Sequence, residues 1–213
     1  MDMSIDSKFF HFMNKIADCM ILSVLWSVFS IPIVTSGAAG SALYYCVLKV
    51  LREDSGSPVK DFWRSFRANF RQSSIVFCLF AAVCCAVSAV GTAIYAASQT
   101  DRTLTNIYLV FLFLLLFFIA WLHYILSYIA RFEAPLKIVL KNSLVICLAN
   151  LPASISFAVL FAVVLGGVIL TLPASAMSFL LVPGLYAWVN SLLMERIYRK
   201  YLPDTSSETD PPA

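Results

Sequence analysis

"SIPIVTSGAAGSALYYCVLK", Ser30 to Lys49, decides the fold, because the chain here either crosses a membrane once or turns and goes back. Pro32, Gly37 and Gly40 interrupt an otherwise plain apolar helix, and no charge appears before Lys49. The stretch belongs to the first of four charge-free runs: Cys19 to Leu48, Gln72 to Thr100, Thr103 to Ala130, and Asn142 to Met194. About 20 apolar residues suffice for one helical crossing, so all four runs are expected in the bilayer, as helices, because lipid offers the backbone no hydrogen-bond partners. With 61% apolar and 13% charged residues, the chain has about half the charge of an average soluble domain and cannot build a water-facing surface.

Sorting the fifteen Lys and Arg residues separates the two readings of Ser30 to Lys49. Lys8 and Lys15 precede it, and Lys49, Arg52, Lys60, Arg64, Arg67 and Arg71 follow it. Later come Arg102, then Arg131, Lys137 and Lys141, then Arg196, Arg199 and Lys200. If the first run turns back and the last run also crosses twice, all of these except Arg102 share one side, as the positive-inside rule requires. The expected turn uses Pro32 to end one helix and sets the tip at the outer face, with Gly37 and Gly40 allowing close helix approach. A short second helix that stops before the far side is the alternative. A signal peptide is not expected, since Ile16 to Val34 exceeds the usual apolar core and contains Asp18.

The fold class that follows is an all-α polytopic membrane bundle of about six transmembrane helices, near 16–33, 37–53, 72–98, 103–130, 151–171 and 174–196. All belong to a single transmembrane domain, 1–202, with both termini cytoplasmic. Asn150 and Pro152 mark the start of the fifth crossing, Pro173 its outer turn, and Pro183 with Gly184 a kink in the sixth. Two interfacial helices complete the expectation. In 58–71, Phe62, Trp63, Phe66 and Phe70 fall on one face and Lys60, Arg64, Arg67 and Arg71 on another, which suits a lipid headgroup layer or a docked partner. In 134–149, Lys137 and Lys141 lie one turn apart. The tail 203–213 has the Pro, Ser, Thr and acidic content of disorder.

Chemistry is sparse. The six cysteines show no CxxC spacing and no adjoining His, so they are expected as small buried apolar side chains; no metal or cofactor is expected. His123 is the one ionisable candidate deep in a helix, and it is expected as a hydrogen-bonded structural residue near the inner interface. No triad, HExxH or phosphate-binding Gly loop occurs, so no catalytic residue is expected. Arg131 and Glu133, at the inner end of the fourth crossing, are expected to pair across the bundle with Glu195 and Arg196 at the end of the sixth, as ion pairs that fix helix ends. The lipid bilayer, not nucleic acid, is the expected partner.

Three segments carry a family resemblance: "SIPIVTSGAAGSALYYCVLKVLREDSGSPVKDFWRSFRANFRQS", "ARFEAPLKIVLKNSLVICLANLP" and "LVPGLYAWVNSLLMERIYRKYLPD". In order, over about residues 8 to 204, the chain resembles the YesL family of bacterial integral membrane proteins. Ala134 departs from the family, which favours a polar residue after "ARFE". The resemblance implies no defined activity. It implies a setting near carbohydrate uptake, beside sugar ABC transporters and glycoside hydrolases. Two functions are weighed: a non-enzymatic accessory or assembly subunit contacting a sugar-transport complex, and a self-contained small transporter or channel using the Pro183–Gly184 kink and polar positions such as Thr92, Ser154 and Asn190. A membrane enzyme using His123 is the third and lacks partner residues.

Overall fold

The computed structural model describes residues 3–97, 102–171 and 176–201, and among these the protein is an all-α helical bundle with no strand. The helices are α1 (Met3–Phe29), α2 (Ser36–Cys46), α3 (Pro58–Ala97), α4 (Arg102–Arg131), α5 (Leu136–Ala149), α6 (Leu151–Thr171) and α7 (Ala176–Tyr201). A 3-10 turn, Ile33–Thr35, precedes α2, and a π-helical turn, Val47–Arg52, continues it. The expected turn at Pro173 and the expected tail 203–213 lie outside the described residues.

The stretch from Ser30 does turn the chain back. Pro32 disfavours helix at Ile31, and α1 stops at Phe29. Side chains cap the turn: the Thr35 hydroxyl lies within donating reach of Phe29 O and of Pro32 O, and Ser36 Oγ donates to Ser30 O at 3.1 Å. Further along, Lys15 Nζ lies 2.9 Å from Asp54 Oδ1, so the α1 side and the end of the returning helix meet. The first helix begins at Met3, well before the expected residue 16.

The turn and the helix that follows it pack against the first half of α3. α2 runs antiparallel beside the first half of α3, with Lys49 paired to Asp61 at 2.8 Å and Ser73 Oγ donating to Ser41 Oγ at 3.1 Å. A Cβ on Gly37 would meet Phe77 Cβ and Ser73 O at 2.5 Å, so this glycine is what lets α2 lie against α3; the expected role between the first two helices is corrected accordingly. Gly40 faces only Leu126 Cδ1, at 3.5 Å from such a Cβ, and no close approach depends on it. Phe29, at the end of α1, packs at a tilt against Phe62, Trp63 and Phe66 at centroid distances of 5.8, 5.6 and 5.0 Å. The turn is thus seated beside residues 62–77. Phe77 lies only about 9 Å of helix rise beyond Arg71, so along α3 the start of α2 sits near the end of the basic stretch.

α3 is one unbroken helix of 40 residues, where an interfacial helix 58–71 and a separate crossing from residue 72 are expected. No Gly or Pro lies between Val59 and Val90, so nothing stops the helix at the change from charged to apolar sequence. Its second half pairs with α4, through Phe80 on Trp121 at 5.0 Å and Tyr95 on Tyr108 at 5.2 Å. One buried cluster gathers Tyr124, Tyr128, Phe157 and Tyr198; another gathers Leu22, Ala38, Ala42, Phe62 and Phe66 around α2.

Four described segments are long and apolar enough to cross a membrane: Phe9–Phe29, Ile33–Arg52, Pro58–Ala96 and Thr103–Arg131. A fifth exists if Leu136–Ala149 and Leu151–Val164, bent by 99°, count as one. Asn150 sits at that bend. Its side chain is not the expected cap of α6: Nδ2 turns back to Ile146 O at 2.9 Å and closes α5. Ser154 Oγ, donating within reach of Cys147 O at 2.8 Å and Asn150 O at 3.1 Å, ties the two helices together. α7 continues through Pro183, and the Gly184 N–H donates to Ser23 Oγ of α1 at 2.9 Å.

Candidate functional site

Among the described residues, a cleft of about 490 Å³ opens where the π turn meets the C-terminal ends of α4 and α7. π turns are uncommon and recur at functional sites. This one carries Lys49 and Arg52 to the cleft, α4 ends there with Arg131, and α7 supplies Glu195 and Arg199 one turn apart.

The charges in the cleft are not equally committed. Arg131 pairs with Glu195, which is buried, and Glu195 Oε1 also accepts from the buried Tyr44 hydroxyl at 3.4 Å. The Arg131 guanidinium lies over Phe132 and Tyr198, 5.5 and 5.8 Å from their centroids, so the pair is framed by aromatic rings. Lys49 turns toward the buried Asp61, which also accepts the Ser57 N–H at 2.9 Å and pairs with Arg64 at 2.9 Å. Asp61 thereby fastens the start of α3 to the end of α2. Arg52 Nη1 donates to the Ser191 carbonyl at 3.1 Å, a neutral partner. Arg199 and Glu53 are exposed and have no ion-pair partner among the described residues.

The expected contact residues divide. Lys60, Arg67 and Arg71 are exposed, Trp63 and Phe70 are 46% and 39% exposed, and Arg67 lies over the Trp63 ring. Phe62 and Phe66 are corrected: they are buried against Phe29 and face neither lipid nor partner. Arg64 is exposed but tied to Asp61 and to the Tyr45 hydroxyl at 2.9 Å. Lys137 and Lys141 are exposed on α5. Of the expected helix-end pairs, the structure joins Arg131 to Glu195 and leaves Glu133 and Arg196 exposed without an ion pair among the described residues.

His123 meets aromatic rings, Phe157 at 6.1 Å and Tyr186 at 5.5 Å, and its imidazole makes no hydrogen bond among the described residues, a correction to the expected bonded state. Thr92, Ser154 and Asn190 do not converge. The Thr92 hydroxyl bonds within its own turn to Ala89 O, Ser154 serves the α5–α6 bend, and Asn190 is buried beside Tyr186 without a well-formed hydrogen bond among the described residues. Three cysteines are buried, but Cys85 is exposed and Cys78 and Cys84 are half-buried. Sequence reasoning missed the cleft, because Lys49, Arg52 and Arg199 entered there only as charges sorted to one side of the membrane.

Residues 19–91 match the family model described as "Protein of unknown function, DUF624", the family commonly called YesL, so the resemblance holds over this part of the chain. No curated protein and no solved structure matches.

Proposed function

Taking the match over residues 19–91 as premise, we propose that this membrane protein is a non-enzymatic accessory or assembly subunit that docks a partner through the exposed basic face of α3. The observation that carries the reading is the burial of Phe62 and Phe66 beneath Phe29. A lipid-anchoring helix keeps its aromatic face for the bilayer. Here much of that face is used inside the protein, and Lys60, Arg67 and Arg71, with Trp63 and Phe70 beside them, are presented outward on a helix continuous with a membrane-spanning segment. Arginine beside an exposed aromatic is the composition of a protein contact.

The partner we propose is a carbohydrate ABC transporter in a bacterial cell membrane, a choice resting on the family resemblance alone. The arrangement proposed with it has both termini cytoplasmic, supported by the sorting of Lys and Arg. The test is to tag the chain after Ala213, express it at native level on several sugars, cross-link, and identify what copurifies. Recovery of permease or ATPase subunits of a sugar transporter, lost in Arg67→Glu/Arg71→Glu, supports the reading. Recovery of this chain alone overturns it.

A small self-contained transporter or channel is the second reading, favoured by the charged cleft of about 490 Å³. Solute flux through the purified, reconstituted chain is the observation that would establish it.

A further inference from the structure

The cleft between the π turn, α4 and α7 has a cationic surplus that the protein's own acids do not neutralise. Its border carries Lys49, Arg52, Arg131 and Arg199 against Glu53 and Glu195. Glu195 is committed to Arg131, and Lys49 leans away to Asp61. Arg52 is held by a single bond to the Ser191 carbonyl, and a guanidinium has five N–H donors, so its fork is positioned but largely unspent. Arg199 stands exposed at the same opening.

We infer that this cleft binds a phosphate-bearing anion, with Arg52 and Arg199 as its principal contacts. Arginine forks match the oxygens of a phosphate in bidentate fashion and are less strongly hydrated than lysine, which suits a half-enclosed site. A volume of about 490 Å³ lies in the range of small-molecule sites and exceeds what a lone side-chain carboxylate needs. Tyr45, Leu48 and Ala130 line the cleft with less polar surface, which suits the carbon skeleton of a phosphate ester. Basic pockets between membrane helices on the cytoplasmic side recur as headgroup sites, so the phosphate has two sources, an anionic lipid or a soluble ester. The cleft shares no residue with the docking stripe of Lys60, Arg67 and Arg71, and either assignment can fail alone.

The test uses the full chain in nanodiscs of phosphatidylcholine, followed by thermal unfolding. In one arm glycerol 1-phosphate is titrated from solution; in the other, phosphatidylglycerol replaces part of the phosphatidylcholine. Saturable stabilisation by glycerol 1-phosphate marks a soluble ligand, and saturable stabilisation confined to phosphatidylglycerol marks a lipid. In either case Arg199→Gln and Arg52→Gln are each expected to weaken the effect by about tenfold, the scale of one lost charge-assisted contact, and Arg196→Gln, an exposed arginine of α7 outside the cleft, to leave it unchanged. Arg199 has no ion pair among the described residues, so its substitution isolates binding from folding. Absence of saturation in both arms overturns the inference. So does an effect that Arg199→Gln and Arg52→Gln leave intact, or one that Arg196→Gln weakens equally.

Discussion

Gly37 and Gly40 are one turn apart on α2, and replacing each by alanine should give opposite results. At Gly37 the added Cβ falls 2.5 Å from Phe77 Cβ and from the Ser73 carbonyl oxygen. One of these atoms is backbone, in a helix with no Gly or Pro nearby, so relief requires α2 and α3 to part. Their separation also strains the Ser73–Ser41 hydrogen bond. Overpacking of this kind costs about 1–3 kcal/mol, and with backbone involved the upper end applies; the better helix propensity of alanine returns about 1 kcal/mol. The net cost is about 2 kcal/mol, roughly 30-fold in the unfolding equilibrium. At Gly40 the new methyl makes an ordinary 3.5 Å contact with Leu126, and only the propensity gain remains. Equilibrium unfolding of the purified protein in mixed micelles, followed by helical circular dichroism, measures both. Equal stability of the two variants, or Gly37→Ala at wild-type stability, would refute the claim that α2 and α3 touch backbone to backbone here.

Removing the Glu195 carboxylate as Glu195→Ala should destabilise by about 3 kcal/mol because Arg131 is left partly buried and unpaired, and adding Arg131→Met should recover part of the loss in the same unfolding assay. Asn190→Leu should be neutral or stabilising, since Asn190 is buried with the Tyr186 hydroxyl beside it and no well-formed hydrogen bond to either polar atom among the described residues; a drop in midpoint would show that the two are bonded. Ile33→Cys, in a background whose native cysteines are replaced, should never react with an impermeant maleimide from the face opposite to the one that labels Lys60→Cys. Labelling from that opposite face would place the turn across the membrane.

The apolar runs made the helical class legible, since charge-free stretches of this length have no other solution in lipid. The reversal at Pro32 was legible through charge sorting, but its depth was not: a hairpin that crosses twice and one that dips and returns leave Lys15 and Lys49 on the same side. Periodicity found the aromatic face of 58–71 and could not say what covers it; Phe29, a distant residue, does. The continuity of α3 was readable from the missing Gly and Pro, yet the change in composition near Gln72 invited a boundary. The cleft was beyond reach, because Arg52, Arg131 and Arg199 come together only through the packing of three helices.

The unbroken length of α3 also gives the molecule a strut. Forty residues make a rod about 60 Å long, roughly twice the hydrocarbon thickness, without a proline or glycine hinge between Val59 and Val90. Its near half is gripped by α2 and its far half by α4, through Tyr95 and Tyr108. A tilt of about 5° about the midpoint swings either end by roughly 3 Å, so a load applied at Arg67 or Arg71 travels as far as Val90 as displacement instead of dissipating in a joint, and only Gly91 stands between it and the tyrosine pair.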